Sequence, residues 1–508
     1  MTHSFSKYFI EKASEECKKN GLLDVDTLIV GVSGGPDSMA LLSFLSKVYP
    51  LERIFVVHVN HNIRPIDCDR DEKLVVDFCK SINVSCKVFS FDCEKEARDQ
   101  GCSTELAGRN YRYRVFDEYA REIAGEDYIQ KTRIAVAHHR GDLAETMMMN
   151  LFRGSGLDGL VSLSRETPRI IRPFLFFSKK EILTYLEENS IEFSQDCTND
   201  MAICTRNVWR NEIFPMIDKT NGKNSIDALY QTYEFLQEDA SYLNQVAFTE
   251  FSKHKLELDG LKLLPVSVVN DFSPSISKRM LRTLWLTSFG DMIDLSSKNI
   301  YDIVSICKKS VYKPTRICLP FNRIGFVFDS YVGFCEEIEL EDCACLFARG
   351  QGFITVSSNM QVKLDLTKSN TIKIPRSDIT IEIQIIENNK GIEYNDLSWI
   401  LPIYEGDDEM ILNLRNRFSD GQYSFCKAGS SSSNKIGKLF INKKVPKEAR
   451  DNILFFCSND EVLWMPGLGH ACGYVDDISR ERNIEDRAKY KRRVVRTMKI
   501  SILHTVGR

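Results

Sequence analysis

The 508-residue chain has no C-x-x-C pair, although it carries 16 cysteines scattered from Cys17 to Cys472. That spacing argues against zinc-ribbon and thioredoxin-like redox sites. A small secreted scaffold would be far denser in cysteine. The closest pair is Cys343-Ala344-Cys345, and the thiols read as free, buried or half-buried side chains. Eight histidines show no zinc-type spacing with them. No stretch approaches the ~18–20 uninterrupted apolar residues that a membrane span needs. The first twenty residues lack the apolar core of a secretory signal. Nothing repeats internally. The expectation is a cytosolic protein with no membrane partner.

A strong net charge is also missing. Lys and Arg total 67 against 71 acids, a balance of −4 that on its face argues against nucleic acid. The whole-chain sum hides local fields, however. Between Arg415 and Arg450 there are nine Lys or Arg against two acids, and from Ile478 to Arg508 ten against three. Either run alone also reads as a solvated face. What is present is globular material: 43% apolar, 27% charged and 10% aromatic residues. At ~100–200 residues per domain, the length predicts about three or four domains.

The first two hundred residues alternate strand-like and helix-like segments. Apolar, β-branched runs at 27–32, 54–59, 84–91 and 133–137 alternate with helical periods such as 38–48 and 69–81. Continuous apolar strands between helices predict an α/β unit, a parallel sheet with helices on both faces. Ligands in such sheets bind outside the carboxyl ends of the strands. The loops after Val32, Val59 and Ala137 are therefore the candidates. Farther on, 225–251 and 275–288 have helical period, and 313–386 contains short β-like runs. Residues 387–396 read as an exposed loop, and Gly429 to Ser433 as a mobile one.

Residues 33–38 read Ser33-Gly34-Gly35-Pro36-Asp37-Ser38, directly after a strand and opening a helix. Two glycines let the backbone turn tightly around an anion. The helix start offers unpaired N–H groups and a positive dipole end, and the two serines offer hydroxyls. The run has neither the Gly-Lys-Ser/Thr ending of Walker A nor the three spaced glycines of a dinucleotide site. Asp37 would repel phosphate. It makes sense as a ligand of the Mg²⁺ that offsets pyrophosphate charge. The loop resembles the PP-loop pyrophosphatase superfamily, whose members cleave ATP between the α and β phosphates. On the loop alone, several synthetases and tRNA thiolases stay open.

Further blocks narrow the resemblance. They are ELAGRNYRYRVF at 105–116, HHRGDLAET at 138–146, RGSGLDGL at 153–160, RPF at 172–174 and DCTNDMAICTRNVWR at 196–210. In this order they resemble the tRNA(Ile)-lysidine synthases, strongly over about 27–217 and weakly over about 410–470. The resemblance implies a PP-loop, adenine-nucleotide α-hydrolase-like fold and the use of ATP and Mg²⁺. It implies that C2 oxygen of the wobble cytidine, in isoleucine tRNA with a CAU anticodon, attacks the α-phosphate of ATP. Free L-lysine then displaces AMP. A homodimer is compatible with it.

That chemistry assigns roles. Ser33 to Ser38 would cradle the phosphates. Arg112 and Arg206 match the family's motif arginines and would stabilise charge on the α-phosphate. Asp142 and Glu145, three apart on a helix, would hold the lysine ammonium. His138 would accept its proton, with a pKa near working pH. Read as bare residues, Asp142 and Glu145 equally suit a helix N-terminal acidic pair, and His138 and His139 could cap a strand end. His61 and Arg64 match an H-x-x-R pattern without a derivable role. A thiolase would need catalytic cysteines, and a small-molecule amidoligase would not need a basic C-terminal region.

The expected layout is a catalytic domain at 1–217, then a helical and β-rich middle at 218–400. A small α+β tRNA-binding domain follows at 401–480, and a basic tail at 481–508. The family's Arg-x-x-Gly-Asp element is altered here to Arg415-Asn-Arg417-Phe-Ser-Asp-Gly421, and its lysine run is spread over Lys435, Lys438, Lys443 and Lys444. These six cations are the expected tRNA contacts.

Overall fold

The structure, a computed structural model, describes residues 4–60, 65–164, 167, 169–194, 205–222, 224–290, 295–309, 313–375, 377, 379–387, 397–416, 424–425, 434–458, 461–470 and 494–504. The chain divides into two compact units, Met1–Tyr242 and Leu243–Arg508.

The first unit is built on five parallel strands: β1 (Thr27–Gly31), β2 (Ile54–Asn60), β3 (Ser85–Ser90), β4 (Thr132–Ala135) and β5 (Ile170–Ile171). Their order is β3-β2-β1-β4-β5. Its helices are α1 (Phe5–Lys19), α2 (Pro36–Val48), α3 (Pro65–Ser81), α4 (Cys93–Gln100), α5 (Thr104–Ala124), α6 (Tyr128–Lys131), α7 (Arg140–Phe152), α8 (Leu157–Leu160), α9 (Lys179–Glu188), α10 (Thr205–Val208), α11 (Phe214–Asn221) and the part up to Tyr242 of α12 (Ser225–His254).

Strand alternation explains the layering. Leu28, Val30, Val56 and Ala135 face a core completed by Met39, Leu42 and Leu45 of α2 and by Phe174 and Phe177. Ile29, Val57 and Ile134 face the other side, under Val115, Phe116 and Ala120 of α5. Both faces are covered, as runs of β-branched residues without polar alternation require. The last residue of β1, Gly31, leaves room for α5: a Cβ there would lie 2.6 Å from the Phe116 ring. Strand order reverses at β1, with β2 on one side and β4 on the other. The loops after β1 and β4 therefore flank the switch-point crevice where such sheets bind ligands. The loop after β2, with His61 and Arg64, lies outside the described residues.

The second unit is antiparallel. Five strands between Leu256 and Glu336 form one sheet. One of its faces packs on the helices Val266–Asp271, Pro274–Phe289 and Ser297–Lys309 around the buried Trp285. Two further sheets enclose a core that contains Trp399, Phe456 and Trp464. Two sequence-based boundaries are corrected here. The strand Ser398–Tyr404 runs through the expected break at 400/401. Residues 494–504, expected in a tail, form a strand that pairs on both sides, with Ile379–Ile386 and Ser398–Tyr404. Its buried Met498, Ile500 and Ile502 alternate with exposed or half-buried positions. Period-two burial outweighs the basic composition of that stretch.

Candidate active site

The loop after β1 is a braced backbone cradle. Gly34 adopts φ +89°, and a Cβ there would press on Asp71 of α3 at 3.3 Å. Its carbonyl accepts the Ser194 N–H at 2.9 Å. Pro36 opens α2, whose start has no side-chain cap. N–H groups at such a start are available to an anion. Ser38 corrects the expectation of two phosphate-facing hydroxyls. It is buried, accepts the Ser33 N–H at 3.1 Å and donates to Gly35 O at 3.0 Å. Its hydroxyl therefore shapes the loop, while Ser33 stays exposed.

Asp37 faces away from that brace. Both its oxygens accept from Lys179 Nζ at 2.7 Å, the first helical residue of α9. Lys179 escaped the sequence reading because it lies 142 positions away. Among the described residues no group of three His, Cys, Asp or Glu could hold a metal ion. Mg²⁺ is commonly held by one or two carboxylates plus substrate phosphates. Asp37 has the carboxylate chemistry for such a metal, which would have to share it with Lys179.

The loop after β4 brings the second cluster. His139 caps α7: its Nδ1 accepts the Gly141 N–H at 2.9 Å, and its own N–H donates to Asp142 Oδ2 at 2.9 Å. The cap belongs to a helix, not to the strand end. His139 Nε2 lies 3.9 Å from Asp37 and 3.7 Å from Asp142. The phosphate loop and the α7 carboxylates thus form one site.

Asp142 and Glu145 share a face of α7, as their spacing predicts, and both meet Arg210. Arg210 Nε donates to Glu145 Oε1 at 2.7 Å, and its Nη2 to Asp142 Oδ1 at 3.2 Å. Burial is the largest influence on both acids. At Glu145 it prevails and raises the pKa. At Asp142 the two histidines, the His139 N–H and Arg210 outweigh it, and the carboxyl sits below the usual range. Arg210 closes the R-N-x-x-R motif, and only Arg206 had been assigned from it. A π-helical turn at Trp209–Ile213 sets it toward α7, with Trp209 packed among Ala144 and Phe214. Nothing in residue identity signals a π turn.

His138 departs from its expected role. Arg172 Nε donates to its Nδ1 at 3.1 Å, and Arg172 Nη1 donates to Ser164 O at 2.8 Å. An imidazole whose Nδ1 accepts carries its proton on Nε2. Burial lowers its pKa to about 4. Asp142 opposes that shift, and Arg172, Arg109 and Arg206 add to it. His138 is therefore a neutral hydrogen-bond donor, not a base poised near neutrality. Arg206, half-buried on α10, does reach His138 with its field. From α5 it is Arg109 whose charge bears on His138 and Arg172. Arg112 is exposed, and its charge bears on the Cys93 thiol.

In the second unit, Lys435, Lys438, Lys443 and Lys444 are all exposed around the short helix Ile436–Asn442. Arg415 ends the strand Glu409–Arg415. Arg417 and the tract Gly429 to Ser433 lie outside the described residues. No helix among those residues is long and apolar enough to cross a membrane.

A PP-loop domain family model matches residues 6–217, and one for the TilS substrate C-terminal domain matches residues 412–485. A tRNA(Ile)-lysidine synthase of Clostridium perfringens is 28% identical over 466 residues, covering 90% of this chain and 94% of its own. One from Caldanaerobacter subterraneus subsp. tengcongensis is 28% identical over 499 residues, covering 92% and 95%. One from Bacillus anthracis is 26% identical over 475 residues, covering 91% and 92%. With the phosphate loop, the α7 carboxylates and both family domains in their order, the chain belongs to the tRNA(Ile)-lysidine synthase family.

Proposed function

We propose that the chain joins free L-lysine to C2 of the wobble cytidine of isoleucine tRNA with a CAU anticodon, through an adenylated cytidine. Pyrophosphate and AMP are the by-products. One observation carries the reading: His139 lies between Asp37 and Asp142, so a phosphate cradle and a cation-holding carboxylate pair share one site. A reaction of ATP with a neutral acceptor would need only the cradle. The carboxylates, paired with Arg210 in this structure, are the groups that would hold a cationic second substrate, which lysine is.

The geometry supports the following roles. Loop N–H groups of Gly34, Gly35 and Asp37, with the exposed Ser33, hold the ATP phosphates. Asp37 would hold Mg²⁺, which would offset pyrophosphate charge. Arg206 and Arg109 supply positive field, and the Nε2–H of His138 is a donor for oxygen that gains charge. Arg112, exposed on the same helix as Arg109, would contact RNA. Asp142 and Glu145 hold the lysine ammonium. The cations around 435–444, with Arg415 and Arg417, meet RNA phosphates.

The test is nucleoside mass spectrometry of tRNA incubated with the protein, ATP, Mg²⁺ and isotopically labelled lysine. Lysidine carrying the label is expected, with one AMP and one pyrophosphate per modified tRNA. ATP cleavage that leaves every cytidine unmodified would overturn the reading.

A further inference from the structure

Glu145 is a carboxylate sealed from solvent, with a side chain 1% exposed. Its Oε1 accepts from Arg210 Nε, and its Oε2 is buried with no hydrogen-bond partner. Asp142 is used on both oxygens, by Arg210 Nη2 and by the His139 N–H. The chain's own cation therefore fills the position where a cationic substrate would bind. That cation is not itself sealed: the Arg210 side chain is 39% exposed. It hangs from a π-helical turn, an irregularity found frequently at functional sites.

An incoming ammonium faces two obstacles. Oε1 is taken, and Oε2 offers no accessible surface. Removing Arg210 first would strand a buried, unpaired carboxylate, which is strongly unfavourable. Direct exchange of one cation for another meets neither obstacle, because Glu145 stays paired throughout. The displaced guanidinium has somewhere to go, since its charge already interacts with that of Asp37 beside the phosphate cradle.

We infer that Arg210 gates the amine subsite: the substrate's ε-ammonium displaces its guanidinium from Glu145 and Asp142, which frees Arg210 to pair with phosphate. This rests on the proposed reaction. Arg210 is on this account a positioning residue, and it couples amine binding to charge stabilisation at the nucleotide.

The experiment measures lysine binding by equilibrium dialysis and lysidine formation by single turnover, for the full-length wild type and Arg210→Met. A gate reduces apparent affinity by the fraction of molecules that are open. If the closed arrangement holds about nine tenths of them, Arg210→Met binds lysine about tenfold more tightly. Its transfer rate falls at the same time, so KM and kcat drop together. A merely structural ion pair would weaken binding or leave it unchanged, and either result overturns the gate. Should Arg210→Met not fold, the wild type supplies the second measurement. Phenylglyoxal modification of Arg210, followed by peptide mass spectrometry, accelerates with added lysine if the guanidinium is released. Protection or no change overturns the inference. Wild type that makes no lysidine overturns the proposed function itself. Wild type that makes lysidine while Arg210 behaves otherwise overturns the gate alone.

Discussion

The two units place their charge in opposite ways. The first buries His58, His139, Glu145 and Arg172 beside its parallel sheet. Among the described residues, the second buries only uncharged polar side chains, Ser277, Ser398, Asn413 and Thr497, and leaves lysines such as Lys435 and Lys438 outside. Buried charge must be paired and hydrogen-bonded, and in exchange it acts in a low-dielectric site. Exposed charge acts through counterion release and carries little geometric information. On the proposed function, the contrast assigns chemistry to the first unit and electrostatic attachment of RNA to the second.

The sharpest way to break that contrast is Asp37→Ala. Pyrophosphate release should fall by ~10²–10³, the usual loss for one preorganised electrostatic element. tRNA affinity should barely change. A filter-binding assay beside a pyrophosphate assay checks both, and a large loss of tRNA affinity would erase the distinction between the units.

A second test concerns the cost of buried charge. The folded pKa of His138 is about 4, below the ordinary 6.5. The unfolded chain therefore binds the extra proton between those values. Stability is full above pH 6.5 and is lost as pH falls toward 4, by roughly 3 kcal/mol for this group. His138→Phe should flatten that slope in urea unfolding at pH 7, 5.5 and 4.5. An unchanged slope would mean that His138 is not held neutral.

The second unit is tested by Lys435, Lys438, Lys443 and Lys444, all changed to Ala. Each phosphate contact steepens log K against log salt by about 0.7–0.9. The fourfold variant should flatten the slope by about 3 if all four make contact. The rate of lysidine formation at saturating tRNA should hold. Identical slopes would leave these lysines as a solvated face.

The smallest effect expected is at Gly31→Ala. The new methyl group meets the Phe116 ring at 2.6 Å. Overpacking of this kind typically costs 1–3 kcal/mol. Thermal unfolding of the variant should show the loss, while its RNA salt slope stays that of wild type.

Local signals carried much of the first unit. The runs TLIVG and IFVVHVN lie in the sheet as their composition predicts, because β-branched residues without polar alternation suit a strand covered on both faces. Asp142 and Glu145 share a helix face because three residues make nearly one turn. The second unit was harder to read. Its final strand, Val494–His504, finds both its partners ninety or more residues upstream, and such pairing leaves no local trace. Composition pointed instead to a tail.

By itself, the amino-acid order determined what depends on near neighbours: the strand–turn–helix around Ser33 to Ser38, the helix carrying Asp142 and Glu145, and the motif set that marks the family. Only the tertiary structure decided what depends on distant partners. It paired Asp37 with Lys179 across 142 positions and Glu145 with Arg210 across 65. It put Arg172 on His138 Nδ1 and so turned an expected base into a donor. It placed Arg109 rather than Arg112 within range of that ring. The physical reason is the same each time. A side chain's identity states which charge it can carry, but its protonation, tautomer and partner are set by burial and by the groups that the fold brings against it.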